Sequence, residues 1–409
     1  MNVFKLPTWH VLALACSNVL ISGSAAAKPD AIRCIGADAA TGTSAAVIAD
    51  ETALVHTAQI LPLNRRGELV GKDDASAQSV EVIENLSRVL KAGGSGLAHV
   101  VKLNVCLADP FSMPKVQQAL ALAFRGSSKP AVSFVAGKIA HENALVAMDA
   151  VAAALPDDEP REVKLLRATD VYQLPGIQHA ALLPAGPKIY ISGMADTNAL
   201  PEATRKTLEK LGAALAQLGG KKSDIAQLKA FMEPMSESET VRKEIVEFFG
   251  GTAPPVVFVE WISPRPNPPI EIELIAAARG NFSQEPETVS FLTPPGTTST
   301  KVFSRVARVN HGKLVYISGL YGTKQGDAPS QVRQVFDSLG RILKQTGSDF
   351  EHLAKATYYV SDDDASNKLN DIRPQFYNPL RPPAASKAKV KAVAMPGKTV
   401  MVDMIAVTP

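Results

Sequence analysis

Three segments of the chain carry apolar residues every three or four positions, the spacing that places side chains on one face of a helix. The apolar residues are Val80, Ile83, Leu86 and Leu90, then Leu208, Leu211, Leu215 and Leu218, then Val332, Val335, Leu339 and Ile342. Glycines follow at 93–94, 219–220 and 347, and a glycine in the left-handed conformation commonly ends a helix. The pattern therefore predicts three amphipathic helices.

Apolar runs of strand length flank each of these helices. One run precedes each helix, at 54–60, 188–194 and 313–320, and another follows it, at 100–107, 225–232 and 353–360. A shorter helix comes next, centred near Leu120, Ile245 and Ile372, and two closing strands complete the set. This order predicts an α+β unit in which two helices cover one face of a mixed sheet.

Two sequence markers recur at a nearly constant interval. A proline turn precedes a strand at 130, 254 and 383, and an acid lies inside the last apolar strand at 149, 273 and 403. The prolines are 124 and 129 residues apart, and the acids 124 and 130. We therefore predict three tandem repeats, at 28–155, 160–280 and 288–409. Three sheets in one chain can cover one another's second face, which predicts an intramolecular pseudo-trimer.

The first residues have the composition of an export signal. Lys5 is followed by a largely apolar run, 11–21, and by small residues that suit signal peptidase at Ala25 to Ala27. We expect a signal peptide at 1–27, cleavage after Ala27, and a periplasmic or secreted product. A membrane anchor and a lipoprotein cleaved before Cys16 are alternatives. Polar residues interrupt the apolar run, and its match to a lipoprotein signal is loose, so the cleaved signal is favoured.

Composition narrows the classes of partner. Hydrophobic side chains make up 46% of the 409 residues, enough for a large core, and the formal net charge is only +3. A net charge this small does not indicate a basic surface for binding nucleic acid. No second apolar run is long enough to span a membrane. We predict no metal and no cofactor, since the motifs that bind metals are missing. Cys34 and Cys106 remain after export, and the sequence leaves their pairing open.

Several short motifs occur in the order typical of one family. They are Gly-Glu-Leu-Val at 67–70, Val-Val-Lys-Leu-Asn-Val at 100–105, Lys-Pro-Ala at 129–131 and the closing acid-bearing strand. The segment Val302–Val309 is similar to the opening Tyr-Ser-Gln-Ala-Val segment of that family. In this order and spacing, the chain resembles the RidA/YjgF family of reactive-intermediate deaminases, also described as endoribonuclease L-PSP, over nearly all of residues 35–409.

The resemblance implies a chorismate-mutase-like fold. Members are usually homotrimers with sites in the clefts between subunits, so one chain with three units imitates the trimer and is expected to be a monomer. Family deaminases hydrolyse enamines or imines. They hold the substrate carboxylate with an arginine after the Pro-Ala turn and use a closing-strand acid with a water. The arginine position matches Val132, Val256 and Ala385, so the carboxylate clamp is missing from every repeat.

The candidate catalytic residues are the three acids, Asp149, Glu273 and Asp403. A buried acid favours its neutral form and can act as a general acid or base, but a carboxylate satisfied by backbone N–H groups is an equal interpretation. Arg305, with Phe303 beside it, is the candidate for ligand binding from a new direction. A surface strand residue is its alternative. If one cleft is functional, we expect Glu273 or Asp403 to meet Arg305 there.

Three functions follow from these observations. The first is an exported, diverged family member that binds a small molecule between its repeats, without standard imine deamination because the arginine is missing. The second is an enamine or imine deaminase, or a related hydrolase, that uses the acids. The third is a scaffold without a site. The sequence does not choose between an enzyme and a binding protein.

Overall fold

The computed structural model describes residues 31–126, 128–155, 160–262, 268–322 and 326–409. The expected signal peptide, 1–27, and its cleavage point after Ala27 lie outside these residues. None of the described helices is long and apolar enough to cross a bilayer.

The described chain repeats one order of elements three times. The first unit contains β1 (Ile32–Asp38), β2 (Thr43–Ala49), β3 (Leu54–Thr57), α1 (Ala75–Ala92), β4 (Val100–Leu107), α2 (Met113–Ala123), β5 (Ala131–Ala136) and β6 (Val146–Ala153). The second contains β7 (Lys164–Leu166), β8 (Ala180–Leu183), β9 (Lys188–Asp196), α3 (Leu200–Gln217), β10 (Ile225–Met232), α4 (Ser238–Phe248), β11 (Val256–Glu260) and β12 (Ile270–Ala277). The third contains β13 (Val289–Leu292), β14 (Val306–Val309), β15 (Lys313–Ile317), β16 (Leu320–Tyr321), α5 (Ala328–Thr346), β17 (Leu353–Val360), α6 (Asp363–Ile372), β18 (Ala384–Lys389) and β19 (Val400–Thr408). The predicted α+β class and threefold repeat are confirmed.

The long helices begin and end where local chemistry favours it. Asp74 caps α1 by accepting hydrogen bonds from the backbone N–H groups of Ser76 and Ala77. Gly347 ends α5 with a φ of 77°, a left-handed conformation that glycine adopts without strain. One expectation is displaced, because α6 ends at Ile372 instead of centring on it.

Each unit has the same sheet topology. Four strands lie in the orders β5-β4-β6-β3, β11-β10-β12-β9 and β18-β17-β19-β15. The first pair of each set is parallel and the others are antiparallel. The result is the mixed sheet that the order of elements predicted.

The second strand of each unit extends the sheet of the preceding unit. Strand β8 pairs with β3, β14 pairs with β9, and β2 closes the circle by pairing with β15 of the third unit. One parallel bridge ties each opening segment to its own unit, at Ser44–Ala131, Ile177–Ala253 and Ser304–Ala384. The three units thus form a closed ring with three equivalent seams.

The core has an outer and an inner part. Three apolar clusters lie mainly between the helices and the sheet of one unit each. Two further clusters combine residues of all three units on the opposite sheet faces, with Val151, Ile275 and Ile405 at matching positions. Burial of these inner faces on one another is the packing that the pseudo-trimer required.

The two cysteines of the described chain do not form a disulfide. Cys34 and Cys106 are both free thiols, and burial raises the pKa of Cys106 to about 12. Cys106 therefore behaves as a small apolar side chain.

Candidate functional site

The three predicted acids lie in the interior of the ring. Asp149, Glu273 and Asp403 occupy β6, β12 and β19 opposite Asn104, Lys229 and Thr357. Their exposed fractions are 3%, 2% and 8%. They are therefore equivalent residues around one axis, as the interval between them indicated.

Two of these acids form ion pairs across the seams. Lys355 Nζ of the third unit lies 2.7 Å from Glu273 Oε1 of the second, and Lys102 Nζ of the first lies 2.8 Å from Asp403 Oδ1 of the third. Burial lowers the pKa of both lysines against the opposing effect of their acids. A small polar cavity of about 40 Å³ lies among these groups. The pairs link neighbouring units through their interior.

Asp149 has a weaker set of partners. Its carboxylate accepts a 2.8 Å hydrogen bond from Asn104 Nδ2. Burial raises the pKa of Asp149, against the lowering effect of the Lys229 charge and of this hydrogen bond. For all three acids the partners are side chains, not the backbone N–H groups considered above. Their catalytic role stays a prediction.

An open cleft lies at the seam between the second and third units. Its volume is about 430 Å³. The wall consists of the end of β9, one face of α3, the loop 295–298 before β14, and the side chains of Glu271 and Arg305. This size is within the range of small-molecule sites.

Glu271 lies two residues before Glu273 on β12, at the cleft. Its carboxyl packs against Gly193, where a Cβ would lie only 2.0 Å from Oε1. The register of β9 and β12 shifts at this point, which forms a bulge at Ser192 and Gly193. Bulges often re-aim side chains next to sites, and here the missing side chain of Gly193 leaves room for the acid.

Glu271 has the electrostatics of a proton-transfer group. Burial raises its pKa to about 7, and the nearby charge of Glu273 acts in the same direction. The Ser386 hydroxyl and the charges of Arg305 and Lys355 lower the pKa by smaller amounts. A carboxyl with a pKa near neutrality can both donate and accept a proton under physiological conditions.

Arg305 brings a positive charge to the same cleft. Its Nη1 donates a 2.7 Å hydrogen bond to the carbonyl oxygen of Gly193, and the guanidinium carbon lies 5.3 Å from the ring centre of Phe303. Its buried Nε has no hydrogen-bond partner among the described residues. The structure brings together Arg305 and Glu271, where the sequence suggested Glu273 or Asp403. Phe303 supports the guanidinium and does not line the cleft.

The two other seams lack both the acid and the arginine at these positions, and only the third unit keeps the glycine, as Gly319. Strand register places Ala147 and Met401 where the second unit has Glu271, and Gln59 where it has Gly193. Backbone hydrogen bonds place His179 and Ala45 where the third unit has Arg305. At the first seam the Gln59 side chain donates to the carbonyl oxygen of Phe258, and a cavity of about 30 Å³ is left. Acid, arginine and glycine therefore occur together at one seam.

Sequence reasoning missed Glu271 although a signal was present. In Ile270-Glu271-Ile272-Glu273 both acids fall on one face of the strand, and the repeat marker selected the one shared by all units. A comparison of the units position by position singles out Glu271, because the other two units carry Ala147 and Met401. The difference in sequence between the copies was the useful signal.

The sequence is similar to known proteins of one family. A family model described as endoribonuclease L-PSP matches residues 34–154 and 297–408, more than half of the chain. Protein DfrA of Myxococcus xanthus is 29% identical over 113 residues, which cover 26% of this chain and 85% of that protein. The 2-iminobutanoate/2-iminopropanoate deaminase of Bos taurus is 29% identical over 103 residues, 23% of this chain and 73% of the enzyme.

Two further relatives each match less than a third of this chain. A RutC family protein of Pyrococcus horikoshii is 34% identical over 88 residues, 22% of this chain and 68% of that protein. A crystal structure of a Rid family protein of unknown function from Yersinia pestis is 27% identical, with a TM-score of 0.29, and the match covers 30% of this chain and 98% of that protein. The family model therefore agrees with the sequence resemblance, and the chain belongs to the endoribonuclease L-PSP family, which includes the RidA/YjgF proteins.

Proposed function

We propose that this chain has one functional cleft, at the seam between the second and third units, which binds a small carboxylate-bearing imine or enamine and hydrolyses it. The observation that supports the proposal is the meeting of Glu271 and Arg305 in an open cleft that the other seams do not reproduce. In this proposal Glu271 takes the role that the sequence assigned to Asp149, Glu273 and Asp403.

The substrate class follows from Arg305. A guanidinium offers planar N–H donors to a carboxylate, and its Nε has no partner among the described residues. Curated relatives are described as acting on 2-iminobutanoate and 2-iminopropanoate, which carry a carboxylate beside the C=N bond. Arg305 thus compensates from the opening segment for the arginine missing at 132, 256 and 385.

The chemistry requires one proton-transfer group and one water. Ionised Glu271 accepts a proton from water as the water oxygen bonds to the imine carbon, and it then donates this proton to the nitrogen, which gives a carbinolamine. In the second step Glu271 accepts the hydroxyl proton and passes it to the nitrogen. The C–N bond breaks as the C=O bond forms, ammonia leaves, and a ketone remains. The pKa of Glu271, about 7, leaves both protonation states available during this sequence.

The test is turnover of 2-iminopropanoate produced in situ by an added enzyme that eliminates water from serine. Imine loss is followed by absorbance for the wild type, Glu271→Gln, and Glu209→Gln as a control at an exposed acid of α3. We expect the wild type and the control to accelerate imine loss, and Glu271→Gln to lose about 100-fold or more of the rate. Equal rates for the two variants would reject the role of Glu271. A product analogue that stabilises the protein without turnover would favour a binding protein.

We propose in addition that the chain is exported, on the basis of the N-terminal composition. Expression of the full chain in a bacterial host followed by cell fractionation tests this. The account expects an extracytoplasmic product whose first residue is Lys28. Retention of residues 1–27 on a cytoplasmic product would contradict it.

A further inference from the structure

We propose that Glu273 is a positioning residue which, with Lys355 and Ser386, forms a polar array behind the cleft and controls the protonation of Glu271. This inference rests on the proposed function and specifies how that site is regulated. The array connects the interior ion pair to the cleft by side chains of the second and third units.

The array is continuous in hydrogen bonds. Lys355 Nζ lies 2.7 Å from Glu273 Oε1, and the Ser386 hydroxyl donates a 2.6 Å hydrogen bond to Glu273 Oε2. The backbone N–H of Gly193 donates to the Ser386 oxygen at 3.1 Å. Gly193 is the residue against which the Glu271 carboxyl packs. Glu273 therefore holds in place the serine and, through it, the bulge that frames the cleft acid.

The Ser386 hydroxyl has a single hydrogen to donate. In the structure the hydroxyl donates to Glu273, and hydrogen bonding by the same hydroxyl lowers the pKa of Glu271, so Glu273 competes with Glu271 for that hydrogen. The negative charge of Glu273 also opposes a second negative charge nearby. Both effects favour the protonated form of Glu271, in agreement with its raised pKa.

The seam between the third and first units has a similar ion pair but no cleft acid. Lys102 pairs with Asp403 there, and Ser133 occupies the position of Ser386. Asp403 is one methylene shorter than Glu273, and Ser133 accepts a 2.7 Å hydrogen bond from Lys102. Met401 stands there in place of the cleft acid. The longer acid, which reaches the serine, is thus found at the seam that contains Glu271.

Among the described residues, one acid and four cations surround Glu271. They are Glu273 on β12, Arg305 before β14, Lys355 on β17, Lys387 on β18 and Lys210 on α3. Lys210 is paired with Asp196 of β9 at 2.7 Å, and Arg305 is bonded to the Gly193 carbonyl. The cations oppose protonation of Glu271, whereas Glu273 promotes it. Removing the charge of Glu273 should therefore lower the pKa of Glu271, whereas removing any of the neighbouring cations should raise it.

The experiment is a carboxyl carbon NMR titration of the full chain, with the Glu271 signal assigned by its loss in Glu271→Gln. We expect the wild-type midpoint near 7, and a fall of about one pH unit or more in Glu273→Gln, a tenfold change in proton affinity. Glu273→Asp keeps the charge beside Lys355 and removes the reach to Ser386, so a smaller fall is expected. Asp403→Asn is the matched control at the other seam and should leave the midpoint in place.

Two results would overturn the inference: an unchanged midpoint in both Glu273 variants, or an equal shift in Asp403→Asn. If Glu273→Gln does not fold because Lys355 is left unpaired, Glu273→Asp alone decides the outcome. The titration needs no substrate. The expected shifts in a protein without turnover would therefore leave this inference standing and reject the proposed function.

Discussion

Replacing Glu271 by glutamine should make the protein more stable at neutral pH and leave its stability little changed in acid. The pKa of Glu271 is raised from its usual 4.5 to about 7 in the folded protein. Between these values the folded state binds a proton that the unfolded state has released, so stability falls as pH rises. The loss reaches about 3 kcal/mol above pH 7, at 1.36 kcal/mol for each pKa unit. Glutamine cannot ionise and escapes that loss.

The assay is urea unfolding of the wild type and Glu271→Gln at pH 4, 5, 6, 7 and 8. The difference in unfolding free energy, variant minus wild type, should rise by about 3 kcal/mol from pH 4 to 8, with most of the rise between 4.5 and 7. Glu209→Gln reports any general effect of replacing an acid with an amide on the surface. A difference for Glu271→Gln that stays constant within about 0.5 kcal/mol would refute the raised pKa.

Three further outcomes follow from the contacts. Gly193→Ala forces the Glu271 carboxyl aside, so we expect the free energy of urea unfolding to fall by about 1–3 kcal/mol. The fall should disappear when Glu271 is also replaced by alanine. Additive effects of the two substitutions would contradict this contact. Arg305→Met should weaken binding of 2-oxobutanoate by roughly 10- to 100-fold in calorimetry, since a charge-assisted hydrogen bond is lost, and unchanged affinity would place the carboxylate elsewhere. Lys102→Met leaves Asp403 buried without its partner and should lower the free energy of unfolding by about 3–5 kcal/mol. The double variant Lys102→Met with Asp403→Leu should recover most of this loss. Equal losses in the single and double variants would show that the ion pair is not responsible.

The sequence predicted the repeated unit well because its elements have strong local signals. Strands β4, β10 and β17 begin and end where the apolar runs do, and the three long helices contain most of the predicted apolar stripes. The exceptions are Leu218, which follows the end of α3, and Val80, which is exposed on α1. Sheet pairing between units was predicted only in outline. That β2 pairs with β15, over 260 residues away in sequence, depends on ring closure and has no local signal.

The candidate site was predicted in part. Arg305 was singled out because it lies beside the position where the family resemblance places an opening Tyr-Ser-Gln segment, and in the structure it lines the cleft. The sequence singled out Asp149, Glu273 and Asp403 and not Glu271 because the repeat marker selects positions common to all units, and the common positions here face the interior. Glu271 is defined by its difference from Ala147 and Met401, together with the space left by Gly193. Those relations depend on strand register and on a bulge, which periodicity does not encode.

The central claim is that one of three equivalent seams is functional. Calorimetric titration of the full chain with 2-oxobutanoate, the ketone product of 2-iminobutanoate hydrolysis, tests it most directly. The account predicts one binding site per chain, lost or strongly weakened in Arg305→Met and unaffected by Met401→Leu at the third seam. Three equivalent sites, or a single site that is insensitive to Arg305, would contradict it.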